Sequence, residues 1–340
     1  MSIVIIFNSI LIEIFSFIVY NRLTINFTGD KMNQKEYKGK KFFDVEKEIR
    51  FDLQRKIVAN MTSESWETIP HAGVVYEPDV TDFMARFKEL KKQGKFSNIS
   101  INTLMLRVIV EGLKACPALN GHIQFNRLFL KGKIEYYKDI NISMPMIMPD
   151  DSMMTINLHN FENRNMEEMQ EYIEAVRRKL DNTNITEAMF SVSMDNTISA
   201  LKKLKIGTVF GRLAGAKLGK YRVKTLSGKA KKEYKKIPEK DRIVKQDIEQ
   251  GTITVSNLGS IYRGSTCRPS IIEVIPPQLC AIGLGAVYDA PGVVNGEILP
   301  RSYVPMLIIF DHRALDFGDA APFMRKLDEI FANPDILETL

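Results

Sequence analysis

Imidazole is the side chain best placed to move a proton near neutral pH. Of the four histidines in the chain, His71, His122, His159 and His312, the last sits in a context that could aim it. The stretch Phe310-Asp311-His312-Arg313-Ala314-Leu315-Asp316-Phe317-Gly318-Asp319-Ala320-Ala321 follows the apolar run Val304 to Phe310. That run reads as a buried strand, and beyond it Ala320, Phe323, Met324, Leu327, Ile330 and Phe331 recur at helical spacing. Asp316 and Asp319 suit the N-cap and N3 positions of that helix. His312 is therefore expected in a short turn between a core strand and a helix, a rigid mount for a general base. A lone histidine is more often an ordinary surface-loop residue, so its neighbours have to carry the argument.

His-Arg-x-x-Asp, entered from a strand and followed by Asp-Ala-Ala, resembles the end of the acyltransferase (dihydrolipoamide acyltransferase) component of 2-oxo acid dehydrogenase complexes. Chloramphenicol acetyltransferases share the His-x-x-x-Asp core. Four more blocks match in order: Thr68-Ile69-Pro70-His71 preceded by Arg55-Lys56, then Pro117-Ala118-Leu119-Asn120, Gly251-Thr252-Ile253-Thr254-Val255-Ser256-Asn257-Leu258-Gly259-Ser260, and Pro276-Pro277-Gln278 with the apolar run from Leu279. Together they span residues 45 to 340; each alone is weak.

The resemblance implies an α+β fold, the chloramphenicol acetyltransferase-like sandwich, with a mixed β-sheet and helices packed on its face. It implies His312 as general base and Ser256 as the hydroxyl that stabilises the oxyanion. It also implies an obligate homotrimer whose site lies between subunits, His312 from one chain and Ser256 from the next. The substrates implied are an acyl-CoA, with coenzyme A thioester as substrate rather than bound cofactor, and an acceptor thiol of the dihydrolipoamide type or a small molecule. Asp316 is expected to act structurally, as a helix cap paired with an arginine that fixes the turn. Asn257 is a candidate to line the site or serve its turn, and His71 to be structural or channel-lining. Arg313 reads as a salt-bridge partner. Phe317 departs from the family pattern, which has glycine after the aspartate, and is expected to reshape the turn, with Gly318 compensating.

Acyl transfer from a thioester needs a base for the attacking thiol, a donor aimed at the developing oxyanion, and a channel that orders both substrates. No covalent acyl-enzyme is required, because the acceptor thiol is itself the nucleophile.

The 340 residues are 45% hydrophobic, enough for a sizeable core. The cysteines Cys116, Cys267 and Cys280 have no metal spacing and read as reduced thiols of a cytoplasmic protein. No Cys/His cluster points to a metal. Net charge is +6, concentrated between Lys202 and Lys245, where sixteen Lys/Arg face three acidic residues; the rest of the chain is net acidic. Residues 205–245 read as a basic insertion in the acyltransferase domain, either a solvated excursion or a docking surface for an acidic partner, CoA phosphates or anionic lipid. Nucleic acid fits poorly, since few aromatics accompany the charge and no recognised nucleic-acid module is present.

Residues 1–44 form an N-terminal extension to a catalytic domain of residues 45–340. Two readings of residues 1–31 stand. Translation starting at Met32 would make them a mis-assigned upstream extension; alternatively the apolar run over residues 3–20 is a membrane anchor, costly because of Glu13 at mid-span. Too few residues lie between Met32 and the first expected helix for a lipoyl domain, so any swinging arm is expected on another chain.

Expected helices are Val45–Met61, Thr81–Lys92 capped by Thr81, Ile101–Ala115 ended by Pro117, Asn163–Asn182, Ala188–Leu204 and the last helix. Expected strands are Ala72–Val80, His122–Phe125, Leu128–Leu130, Ile140–Met148, Met153–Leu158, Thr252–Ser256, Cys280–Val287 and Tyr303–Phe310. A rival to the enzyme is a non-catalytic trimeric scaffold that docks acidic partners through the basic insertion.

Overall fold

The computed structural model describes residues 46–148, 152–190, 192–193, 223, 225–262 and 267–340. The chain divides into two compact units, Met1–Arg50 and Phe51–Leu340, and the described helices and strands all lie in the second.

The centre of the fold is a six-stranded mixed sheet. Its strands are β1 (His71–Tyr76), β4 (Ile142–Ile147), β5 (Met153–Leu158), β6 (Ile253–Asn257), β7 (Cys280–Leu284) and β10 (Met306–Asp311), in the order β1-β10-β7-β6-β4-β5. Pairing is antiparallel for β1/β10, β10/β7 and β4/β5, and parallel for β6/β7 and β4/β6. Two hairpins stand apart from the sheet, β2 (Gly121–Asn126) with β3 (Lys131–Tyr136), and β8 (Tyr288–Val294) with β9 (Glu297–Tyr303). The helices are α1 (Leu53–Thr68), α2 (Thr81–Lys92), α3 (Ile101–Ala115), α4 (Met166–Asp181), α5 (Gly228–Lys236), α6 (Lys245–Ile248) and α7 (Phe317–Ala332).

One continuous core joins α2, α3, α4 and α7 to one face of the sheet, through Phe83, Leu106, Ile109, Ile173, Phe323 and Leu327 and through Val255, Ile282, Ile308 and Phe310. The mixed sheet with helices on its face is the architecture expected from the sequence. α3 and α7 approach closely because α3 carries Gly112. A Cβ there would stand 2.5 Å from Leu327 Cδ1 and 2.6 Å from Phe323 Cε2. On the opposite face Ile309 and Ala281 pack with Ile69 and Val274 in a smaller cluster.

Several boundaries move. The first helix starts at Leu53, not near Val45, because Asp52 is its N-cap and accepts from Arg55 N (2.7 Å). Leu53 and Ile57 pack on the core, whereas Val58 is exposed. Thr81 is the first residue of α2 rather than its cap; Asp79 Oδ1 accepts from both its backbone N (3.0 Å) and its hydroxyl (2.6 Å). The run Leu128–Leu130 is the turn of the β2–β3 hairpin, with Asn126 Oδ1 accepting from Phe129 N and Leu130 at φ 48°. The strand expected from Tyr303 begins at Met306, and the β8–β9 hairpin that ends at Tyr303 has no counterpart among the expected strands. The expected helix over Ala188–Leu204 lies largely outside the described residues, as do residues 1–31 and the first part of the basic insertion. The described part, from 225 to 245, holds α5, anchored by buried Tyr234 with the Arg242 guanidinium 5.3 Å from its ring centroid, and Ile243 in the core.

Candidate active site

The turn after β10 is tied at nearly every residue. His312 N donates to Pro70 O (2.9 Å), and Ala314 N and Leu315 N both donate to Asp311 O (3.0 and 3.1 Å). The Asp311 side chain is fully buried and accepts four hydrogen bonds from Arg313: Nη2 to Oδ2 at 2.5 Å, Nε to Oδ1 at 2.9 Å and to Oδ2 at 3.1 Å, and the backbone N to Oδ1 at 3.0 Å. A buried carboxylate is tolerable only when paired and hydrogen-bonded in this way. Arg313 is thus the salt-bridge partner expected, and its partner is Asp311. The Asp316 carboxylate faces His312 rather than an arginine, with Oδ1 3.3 Å from Nδ1. Asp316 is the N-cap residue of α7; half of a reciprocal cap is made by Asp319, whose Oδ2 accepts from Asp316 N (2.7 Å).

The imidazole is aimed by backbone. His312 Nδ1 lies 2.9 Å from Leu315 O. A carbonyl can only accept, so in the neutral ring the proton sits on Nδ1 and the Nε2 lone pair is left free. Asp316 adds a second acceptor on the same side. The side chain is 45% exposed, so Nε2 is reachable by a substrate. This is the arrangement a general base requires. The ring rests beside Phe310 (centroids 6.1 Å, 79°) and Phe317 (6.3 Å, 63°). Phe317 leaves the turn unstrained: it opens α7 without a positive φ.

His71 opens β1, level with Asp311. Its Nε2 accepts from Val274 N (3.0 Å), while Ser65 Oγ donates to Val274 O (2.7 Å). The ring therefore pins the segment before the Pro276–Pro277 loop, and burial lowers its pKa. Trp66 packs against it at a tilt of 36°, with centroids 4.7 Å apart.

Ser256 lies elsewhere. Register places it beside Gly283 on β7, which is level with Leu307 on β10. His312 is five residues beyond Leu307, roughly 17 Å along the strand, and two strand spacings add roughly 10 Å across, so the two Cα atoms are about 20 Å apart. Within one chain the base and the hydroxyl stand at opposite ends of the sheet. Asn257, next to Ser256, donates through Nδ2 to Asn102 Oδ1 (2.5 Å) and accepts through Oδ1 from Ser260 N (3.0 Å). It thereby shapes the turn after β6. It also borders a cleft of ≈ 470 Å³ lined by Asn102, Met144, Met146, Met148 and Arg177, among others. Met144, Met146 and Met148 are buried and line this cleft, Met154 is buried and Met153 is exposed.

Two contacts are not legible in the sequence, although Gln278 belongs to the Pro276-Pro277-Gln278 block. One is the Leu315 carbonyl, a backbone group. The other is Gln278, fully buried, which donates to Gly251 O (2.9 Å) and accepts from Thr254 Oγ1 (2.6 Å), fixing β6 against the loop that precedes β7. His122 Nε2 donates to the same Gly251 carbonyl (3.1 Å), and burial lowers its pKa. A Cβ at Gly251 would stand 2.3 Å from Asn141 O, so the network closes only around glycine.

Comparison with known proteins assigns this mixed sheet, with its histidine-bearing strand–turn–helix, to an acyltransferase catalytic-domain class. The family model described as 2-oxoacid dehydrogenases acyltransferase (catalytic domain) matches residues 44–202 and 220–338, and the chain belongs to that family. It is 24% identical over 294 residues to the lipoamide acyltransferase component of the branched-chain alpha-keto acid dehydrogenase complex of Bacillus subtilis, covering 85% of this chain and 53% of that protein. It is 33% identical over 98 residues to the dihydrolipoyllysine-residue succinyltransferase component of the 2-oxoglutarate dehydrogenase complex of Mus musculus, covering 29% of this chain and 21% of that one. The chain thus spans about half, or less, of the length of these curated relatives. Among solved structures, a probable dihydrolipoamide acetyltransferase from Listeria monocytogenes shares the fold with a TM-score of 0.57 at 20% identity, over 84% of this chain and 94% of that one. The cubic core of a pyruvate dehydrogenase multienzyme complex does so with 0.58 at 17% identity, over 88% and 96%. Among the described residues no helix is long and apolar enough to cross a membrane.

Proposed function

We propose that this protein transfers an acyl group between coenzyme A and an acceptor thiol, with His312 as general base. The observation that carries the reading is the Nδ1–H of His312 held by Leu315 O (2.9 Å), which leaves Nε2 free on an exposed ring edge in a chain of this family. In the forward step Nε2 takes the proton of the acceptor S–H as its sulfur adds to the thioester carbonyl. The tetrahedral intermediate then collapses, the bond to the CoA sulfur breaks, and the imidazolium returns the proton to that sulfur.

Ser256 is the proposed donor to the oxyanion; loss of one such donor typically costs about 3 kcal/mol. Since it stands about 20 Å from His312 in the same chain, the working site combines His312 of one copy with Ser256 of the next, and a homotrimer is the assembly proposed. Asp316 positions the imidazole. Asn257 orders the turn beside Ser256, and His71 supports the His312 end of the sheet as a positioning residue. The acceptor is a dihydrolipoamide-type thiol carried on another molecule, or a small thiol, and the compartment proposed is the cytoplasm.

Release of free CoA from acetyl-, isobutyryl- or succinyl-CoA in the presence of dihydrolipoamide tests this directly. Turnover should vanish in His312→Ala while the circular-dichroism spectrum is kept. Undiminished release by that variant would sink the assignment.

A further inference from the structure

Two half-exposed aromatic rings from different elements border the His312 turn. Phe317, at the start of α7, is 51% exposed, and Phe125 on β2 is 42% exposed, with the Arg313 guanidinium 5.8 Å from its ring centroid. Scattered exposed apolar residues are ordinary, but two that border one polar turn mark a contact surface. Phe317 is the ring that touches the base. It stands edge-to-face on fully buried Phe310 (5.5 Å, 79°) and beside His312 (6.3 Å). The core does not need it: the buried stripe of α7 begins at Ala320. Its exposed half adds apolar area beside the His312 ring.

We propose that Phe317 is a specificity-determining residue, an apolar wall beside His312 on which the hydrocarbon body of the acceptor lies while its thiol meets Nε2. The preferred acceptor class is then a thiol on a flat or extended apolar body rather than a compact polar one. This rests on the acyltransferase reading above. Chemically, the S–H proton goes to Nε2, the new S–acyl bond forms, the bond to the CoA sulfur breaks, and that sulfur takes the proton. No oxidant or reductant enters.

The test compares wild-type protein with Phe317→Gly and Phe317→Leu, using acetyl-CoA and three acceptors: benzyl mercaptan, dihydrolipoamide and 2-mercaptoethanol. The preference for benzyl mercaptan over 2-mercaptoethanol, as a ratio of kcat/KM, should fall about tenfold in the glycine variant, the loss expected when roughly 55 Å² of apolar contact is withdrawn. The fall should lie in KM, dihydrolipoamide should follow benzyl mercaptan, and leucine should restore most of the preference. A drop in kcat shared equally by all three acceptors, or an unchanged ratio, overturns the proposal.

Benzyl methyl sulfide, which cannot react, supplies a second readout by NMR titration. Weaker binding to Phe317→Gly than to wild type supports the wall even if no thiol is acylated, an outcome that would instead remove the acyltransferase reading. Equal binding to both proteins, or none, overturns it.

Discussion

The separation of His312 and Ser256 leads to a complementation experiment with a numerical outcome. Ser256 is level with Gly283 and Leu307 across three strands, and His312 lies five residues past Leu307. The resulting distance of about 20 Å is several times what a side-chain rotation can close. Alone, His312→Ala should lose roughly 10²–10⁴-fold in kcat, and Ser256→Ala roughly 10²–10³-fold. When the two variants are co-expressed in equal amounts with different tags, each shared site draws its base from one chain and its hydroxyl from the next. Half of the chains keep His312 and half keep Ser256, so about one quarter of sites in randomly mixed rings have both. Doubly tagged protein, isolated by sequential affinity steps and assayed for CoA release, excludes the inactive homotrimers and should approach about one third of wild-type activity, since each mixed trimer keeps one intact site in three. Separately purified variants, mixed without exchange, should stay at their own low rates. If the co-expressed protein is no more active than that mixture, base and hydroxyl do not act across chains, and either the register argument or the role of Ser256 is wrong.

Other consequences arise from individual contacts. Asp316→Ala removes the second acceptor at His312 Nδ1 but leaves Leu315 O in place. Since the carboxylate is 80% exposed, the expected loss in kcat is only about two- to fivefold, the worth of an exposed ion pair; a loss equal to that of His312→Ala would make Asp316 the essential orienting group. Arg313→Ala strands the fully buried Asp311 carboxylate and should lower stability by about 3–5 kcal/mol, read as a shift of the urea midpoint. Gly112→Ala forces a methyl group to 2.5 Å from Leu327 Cδ1 and should cost about 1–3 kcal/mol in the same assay, despite alanine's better helix propensity. Acid should weaken the fold. Burial holds His71 and His122 below their ordinary value of 6.5, so between the lowered values and 6.5 the unfolded chain binds protons that the folded one does not, and stability falls as pH drops through that window. Urea midpoints that stay level from pH 7.5 to 5.5 would contradict this.

Legibility in the sequence tracks how local each signal is. α3 falls on Ile101–Ala115 as expected because Ser100 caps it, accepting from Thr103 N, and Pro117 stops it. β5 falls on Met153–Leu158 as expected. The β8–β9 hairpin is hidden by its own composition: Pro291 pairs across from Pro300 and Gly292 from Leu299, residues that argue against a strand wherever pairing is unknown. Leu128-Phe129-Leu130 misleads in the opposite sense, since three apolar residues suggest a strand yet form an exposed hairpin turn. In the site, the His312–Asp316 spacing is visible but their contact is not, and the arginine expected to pair with Asp316 pairs with Asp311 instead. Strand order and register, which set Ser256 far from His312, are long-range pairings that no local pattern encodes.

The way the imidazole is aimed explains why so little of it shows in side chains. Three backbone hydrogen bonds close the turn from Asp311 to Leu315 and tie it to Pro70, and a further carbonyl, Leu315 O, fixes the ring. Any sequence able to follow that path would supply the same acceptors. The side chains that matter are therefore those that force the path: Asp311 with Arg313, which lock the turn from inside the core, and Phe310, whose buried ring sets the floor beneath His312. A neutral carbonyl at Nδ1 holds the tautomer that leaves Nε2 open, which is what the proposed role of His312 requires.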